Sequence, residues 1–251
     1  MPVALLPAAL FGAIIGSFLN VVAYRVPRRE SLATPGSHCP SCDHPVRLYD
    51  NLPVVSWLLL RGRCRDCGEG ISARYPVVEV LTAVAFAAIV AVHVDDVTRM
   101  VLGIVLVAFL VPLTLIDLDT QTLPDRLTAP AAVLGLVLGT ALDPGGELER
   151  VVAAAAAGGF FFVAWYLKPG GMGFGDVKLA AVLGLFLGRG VAVAVFGALI
   201  AGVCVGLFIM RRVGVASGRK TKVPFGPFLA FGGLLAVLAG GPLVDAYLTT
   251  F

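Results

Sequence analysis

Apolar residues run along this chain in long blocks, with no strand-like alternation between them. The blocks cover about residues 2–24, 76–92, 99–118, 127–142, 150–167, 176–189, 191–210 and 224–249. Crossing the ~30 Å hydrocarbon core of a bilayer takes ~20 apolar residues in helical form. The pattern therefore predicts an all-α fold, a polytopic membrane bundle of about eight transmembrane helices. The sixth and seventh blocks are short and are separated only by Gly188-Arg189-Gly190, so a single bent span there would lower the count to seven. The first block has no Lys or Arg before it and lacks the charged n-region of a signal peptide, so it is expected to remain as a helix. One long polar interruption, residues 25–75, divides the chain into a first helix (1–24), a loop (25–75) and a bundle (76–251).

Composition agrees. Of 251 residues, 58% are hydrophobic and 14% charged, whereas soluble domains are about 45–50% apolar and about 25% charged. A cytosolic enzyme, a disordered chain and a secreted disulfide scaffold are excluded. The net charge of +3 is small, but its distribution is informative. With eight spans and the 25–75 loop in the cytoplasm, sixteen of the nineteen Lys and Arg residues fall inside, including Arg219, Lys220 and Lys222. Only Arg99, Arg150 and Arg189 fall outside, beside Asp95, Asp96, Asp143, Glu147 and Glu149. The positive-inside rule thus favours eight spans, with both termini extracytoplasmic.

The polar loop holds two C-x2-C knuckles, Cys39-Pro-Ser-Cys42 and Cys64-Arg-Asp-Cys67, with 21 residues between them. Four thiolates in this spacing suit a tetrahedral, ribbon-type zinc site. Two disulfides are the competing reading, which a cytoplasmic location disfavours. Gly68 suits the tight turn that a knuckle needs. His38 and His44 flank the first knuckle, but four cysteines already fill a tetrahedron, so both are expected to be solvated. The metal is structural on this reading. A loop of about 50 residues with few large apolar groups has little core, and metal binding supplies folding energy. Cys204 stands alone in an apolar block and is expected to pack.

Carboxylates within membrane spans are costly and mark function. The candidates are Glu79, Asp117, Asp119, Asp125, Asp176 and Asp245. Asp117 ends the third block. Asp176 follows Gly170-Gly-Met-Gly-Phe-Gly175 and opens the sixth, on the same side by the topology above. A pair of this kind suits acid–base hydrolysis, with one carboxylate activating water and the other, protonated, donating to a carbonyl. Other readings stand beside it. Asp176 also suits an N-cap with Lys178 as its ion-pair partner, Asp125 suits the N-cap of the fourth span, and Asp119 is expected to face water. Intramembrane carboxylates also serve proton-coupled transport. No serine or cysteine nucleophile is evident.

Taken together, these strings resemble a known family. Gly16-Ser-Phe-Leu-Asn20 through Arg25-Val-Pro27 resembles the opening of type IV prepilin peptidases. The two-knuckle loop, Asn51-Leu-Pro53, Ser56-Trp57-Leu58 and Ile71-Ser-Ala-Arg-Tyr-Pro76 follow in family order. Ile116-Asp117-Leu-Asp119 with Leu123-Pro-Asp125 is similar to the first catalytic-aspartate segment, and Gly173-Phe-Gly-Asp176-Val-Lys178 to the G-x-G-D segment. Weaker likeness continues through Pro224-Phe-Gly-Pro227. The resemblance implies a bifunctional enzyme of the inner (cytoplasmic) membrane, serving type IV pilus assembly or protein secretion. It implies leader cleavage from prepilins and pseudopilins by Asp117 and Asp176, then N-methylation of the new terminus with S-adenosylmethionine. It also implies zinc on Cys39, Cys42, Cys64 and Cys67, in a loop associated with the methyltransferase half. The chain shows no nucleotide-binding loop for the methyl donor, which leaves Glu79 and the segment 16–20 as candidates. The expected partners are the prepilin and the bilayer, not nucleic acid. A peptidase without methylation, a proton-coupled transporter and a docking or sensor protein are the rival readings.

Overall fold

A computed structural model describes residues 2–168, 170–214 and 223–249. Arg219, Lys220 and Lys222, counted above as cytoplasmic, and the side chain of Asp245 lie outside what is described. The chain is helical throughout its apolar blocks: α1 (Pro2–Arg28), α2 (Val55–Leu59), α3 (Arg74–Val92), α4 (Val97–Thr120), α5 (Asp125–Leu142), α6 (Glu147–Leu167), α7 (Phe174–Leu187), α8 (Val191–Val213) and α9 (Gly226–Leu248). Among the described residues no strand forms, only isolated bridges His38–Pro45 and Arg63–Gly70. Seven stretches are long and apolar enough to cross a membrane, one of them the 39 residues Phe174–Arg212. As a single helix that stretch would be about 58 Å long, nearly twice the hydrocarbon thickness. A 3-10 turn at Gly188–Gly190, with Gly188 at φ +54°, breaks it into α7 and α8. The all-helical membrane fold expected from the pattern is therefore present.

Two compact units divide the chain, Met1–Val94 and Asp95–Phe251. In the first, α1 packs along α3. The approach is close because Gly12 and Gly16, one helical turn apart, face α3. A Cβ at Gly12 would meet the Ala83 Cα at 2.8 Å, and one at Gly16 the Glu79 Cα at 2.9 Å. This is the small-xxx-small contact that membrane helices use when water supplies no driving force between them. The polar loop is tied back to these helices by buried polar groups. Arg25 donates to the carbonyls of Ser31, Pro35 and Gly36 at 2.7–3.2 Å. Glu79, buried on α3, accepts the Val54 N–H at 2.7 Å. Between residues 29 and 73 only Ser56 and Gly62 are buried, so the loop has no apolar core of its own.

In the second unit α7 is the central helix, with Leu179, Ala180 and Leu183 fully buried. It packs antiparallel to α6 along Ala153, Ala154, Ala157 and Gly158. The alanine run is thus a packing seam. Helices α8 and α9 meet through Gly232, where a Cβ would collide with the Ala194 carbonyl. The far end of the bundle is held by Arg150, buried on α6. It donates to the Asp143 carboxylate at 2.8 Å, to the Gly139 carbonyl at 2.9 Å, to Glu147 at 3.1 Å and to the Asp143 carbonyl. This guanidinium holds the exposed Asp143 carboxyl below the usual carboxylate range. Cys204 corrects the expectation above: it is exposed on the outer surface of α8, not packed in a core.

A Cβ at Gly184 would press on the Ala154 backbone, whereas one at Gly159 would meet nothing within 4 Å. Gly184→Ala is expected to destabilise the bundle by about 1–3 kcal/mol. Gly159→Ala is expected to be neutral or slightly stabilising by helix propensity. Thermal unfolding of the two variants in detergent measures the difference.

Candidate active site and cysteine centre

One end of the second unit gathers the C-terminus of α4 and the N-termini of α5, α7 and α9. Asp117 lies one turn before the end of α4 and is 5% exposed; Asp176 is the third residue of α7 and is 6% exposed. The structure brings the two together, within electrostatic reach of each other. Each is oriented by one backbone N–H. Gly226, the first residue of α9, donates to Asp117 Oδ2 at 2.9 Å. Gly173 donates to Asp176 Oδ2 at 3.2 Å, and Asp176 N–H returns a bond to the Gly173 carbonyl at 3.1 Å. Asp176 therefore does cap its helix, but with one oxygen and from the third position. The helix opens two residues earlier than the apolar block, at Phe174.

The neighbouring charges sort differently from the sequence expectation. Lys178 does not pair with Asp176; its Nζ lies 2.5 Å from Asp125 Oδ1. Asp125 is not an N-cap but the first residue of α5, following Pro124 as cap. The pair ties the start of α5 to the start of α7. Leu123 reinforces the tie, because a Cβ on Gly175 would meet the Leu123 Cβ at 2.8 Å. The glycine in G-x-G-D thus lets the α4–α5 connection lie against the first turn of α7. Asp119 is exposed, as expected. Sequence reasoning missed Gly226 as a partner of Asp117. Its only signal was the weak likeness around Pro224–Pro227.

In the first unit the four cysteines form a second candidate centre. Cys39, Cys42, Cys64 and Cys67 place their sulfurs within 4.8 Å of one another, and this cluster can hold a metal ion. All four are free thiols, and neither His38 nor His44 joins the cluster. The knuckles repeat one geometry. In each, the residue four beyond the first cysteine has positive φ, Asp43 at +56° and Gly68 at +75°. The first cysteine of each pair donates its N–H across the turn, Cys39 to His44 at 3.0 Å and Cys64 to Glu69 at 2.7 Å. Backbone N–H groups of Ser41 and Cys42 draw the Cys39 thiol down to about 7. Arg65 grips Asp50 with two bonds of 2.6 and 2.8 Å, and Arg47 reaches Asp66 at 3.0 Å. These pairs bind the second knuckle to the segment between the two.

Two family models cover most of the chain. The bacterial peptidase A24 N-terminal domain matches residues 10–93, and the type IV leader peptidase family matches residues 104–209. A prepilin leader peptidase/N-methyltransferase of Aeromonas salmonicida is 36% identical across 96% of this chain and 92% of its own length. One from Neisseria gonorrhoeae is 39% identical across 94% and 88%. The chain belongs to the type IV leader peptidase family. A further relative, the type 4 prepilin-like proteins leader peptide-processing enzyme of an Escherichia coli strain, is 37% identical across 92% of both chains. No solved structure matches. The four cysteines fall within the segment matched by the first family model, and both buried aspartates within that matched by the second. Membership and the apolar helices together make this a multi-pass membrane protein.

The Lys178–Asp125 contact is short but exposed to solvent on both sides. A double-mutant cycle of Lys178→Met and Asp125→Asn, read by thermal unfolding, is expected to give a coupling below about 1 kcal/mol.

Proposed function

We propose that this protein cleaves the leader peptides of type IV prepilins and pseudopilins, and methylates the N-terminus that cleavage creates. The observation that carries the peptidase half is the meeting of two buried carboxylates, Asp117 and Asp176, from separate helices at one end of one unit. Two carboxyls near each other in a poorly solvated site resist ionising together, so one can act as base while the other acts as acid. The ionised carboxylate takes a proton from water as the water oxygen adds to the scissile carbonyl. The protonated carboxyl donates to the carbonyl oxygen. The tetrahedral species then collapses, the C–N bond breaks, and the departing amine takes a proton from the dyad. Exposed Asp119 and Asp125 lie outside this exchange. The transporter reading is disfavoured by the position of both aspartates at helix ends.

The cysteine centre is proposed to hold zinc. Tetrahedral Zn–S bonds of about 2.3 Å place sulfurs about 3.8 Å apart. The Cys39 and Cys67 sulfurs lie 3.8 Å apart, so the residues present fit the ion. Four protein ligands leave no open position, and the ion's part is to hold together a loop that lacks an apolar core. S-adenosylmethionine is proposed as the methyl donor on the strength of the relatives' names. The residues singled out for it are partly engaged within the protein. The Asn20 amide is spent on the Gly16 and Tyr75 carbonyls at 3.3 Å, and Glu79 Oε2 on Val54. The charge asymmetry supports an inner-membrane topology with the cysteine loop in the cytoplasm and both termini outside.

Two measurements test this. Purified protein in lipid is expected to release the leader from a prepilin, with Asp117→Ala and Asp176→Ala each lowering cleavage at least about 10³-fold and Asp125→Ala retaining most of it. Full cleavage by either of the first two variants would remove that aspartate from the mechanism. Native mass spectrometry is expected to find one zinc per chain, lost in Cys42→Ser together with protection of the 29–73 segment from protease.

A further inference from the structure

The first turn of a helix has backbone N–H groups with no intrahelical acceptor, and each must find a partner elsewhere. The start of α9 can be accounted for donor by donor. Phe228 and Leu229 both donate to the Phe225 carbonyl, at 3.0 and 3.2 Å. Pro227 has no N–H to give. That leaves Gly226, whose N–H goes to Asp117 Oδ2 at 2.9 Å in a buried setting. The first turn of α9 thus directs a single N–H at one carboxylate oxygen, and the helix dipole adds partial positive charge there.

The second observation concerns space. A Cβ at position 226 would lie 2.6 Å from Asp117 Oδ2 and 3.1 Å from its Cγ. The backbone conformation at Gly226 is not of positive φ, so the turn itself does not demand glycine. What demands it is the carboxylate. Gly202, on α8 beside the same segment, is a useful contrast: a Cβ there would meet Phe225 and Phe228 at 3.5 and 3.7 Å, ordinary contact. Position 226 also lies beyond residue 209, where the second family model's match ends.

We infer that Gly226 is a positioning residue for peptide hydrolysis: its N–H fixes the rotamer of Asp117, and its missing side chain leaves the carboxylate room to face Asp176. The inference rests on the dyad reading above. It makes α9 the third helix of the active site, contributing backbone and no side chain. Pro227 strengthens the arrangement by giving the turn no second donor to compete for the carboxylate.

The test uses the full chain in lipid with a prepilin substrate and measures kcat and KM separately. Gly226→Ala is expected to lower kcat about 100-fold, since displacing a reacting group by about 1 Å costs that much, with KM within about two-fold. Gly202→Ala is expected to match the wild type. Should Gly226→Ala fail to fold, replacing the Gly226 amide by an ester, with glycolic acid incorporated at 226, removes the donor without adding an atom. This form is expected to keep the wild-type melting temperature and KM and to lose at least about 10-fold in kcat. Wild-type kcat in the ester form, with Asp117→Ala inactive, would overturn this role and leave the dyad standing. Undiminished cleavage by Asp117→Ala would overturn the dyad, and this role with it. Parallel loss of kcat and melting temperature in the ester form would mark Gly226 as structural and overturn the inference.

Discussion

A helix surrounded by hydrocarbon spends its backbone hydrogen bonds on itself, so only its ends have groups to offer. The polar features of the second unit's helix ends follow from that constraint. Asp176 sits in the first turn of α7 and Asp125 opens α5. Asp117 lies a turn from the end of α4 and meets the start of α9. At the opposite end of the bundle, Arg150 takes up the Gly139 carbonyl near the close of α5. Mid-helix surfaces are mostly apolar or small, with Asn20, Glu79 and Thr82 as buried polar exceptions. Both buried aspartates are held by groups at helix termini, and those termini bring the two carboxylates into one site.

The small residues do the complementary part of this work. Hydrophobic association adds little between helices already in lipid, so close backbone approach has to supply the packing energy. Gly12 and Gly16 let α1 lie against α3, Gly184 and Gly158 seat α7 on α6, and Gly232 joins α8 to α9. The loop of the first unit solves a different problem. It has almost no buried side chains, and its order comes from Arg25, Glu79, the two Arg–Asp pairs and the cysteine cluster.

The helical membrane fold was legible because block length alone decides it. The cysteine cluster was legible because C-x2-C spacing is local: two sulfurs within one turn need little from the rest of the fold. Asp117 and Asp176 could be named as candidates because charge in apolar sequence is conspicuous. Their nearness could not be read, since it depends on how α4 packs against α7. Lys178 shows the limit well. Two residues from Asp176 in sequence, it pairs instead with Asp125, 53 residues away, because the helical turn points it toward α5. Cys204 was misjudged because an apolar block does not reveal which of its faces meets lipid. Gly226 left almost no trace, since a backbone donor has no side chain to announce it.

Hydrolysis consumes water, and the hydrocarbon interior holds almost none. Helix α7 has 14 residues, about 21 Å of rise against a core about 30 Å thick. With its Gly188 end at one hydrocarbon boundary, its first turn would stop about 9 Å short of the other. That depth would be taken up by the Gly170–Gly173 turn, whose backbone would then have to be wetted or bonded. In that placement a truncated central helix would be a means of hydration: it would lower the aqueous boundary to the level of the carboxylates, so that water for the proposed dyad need not cross oil.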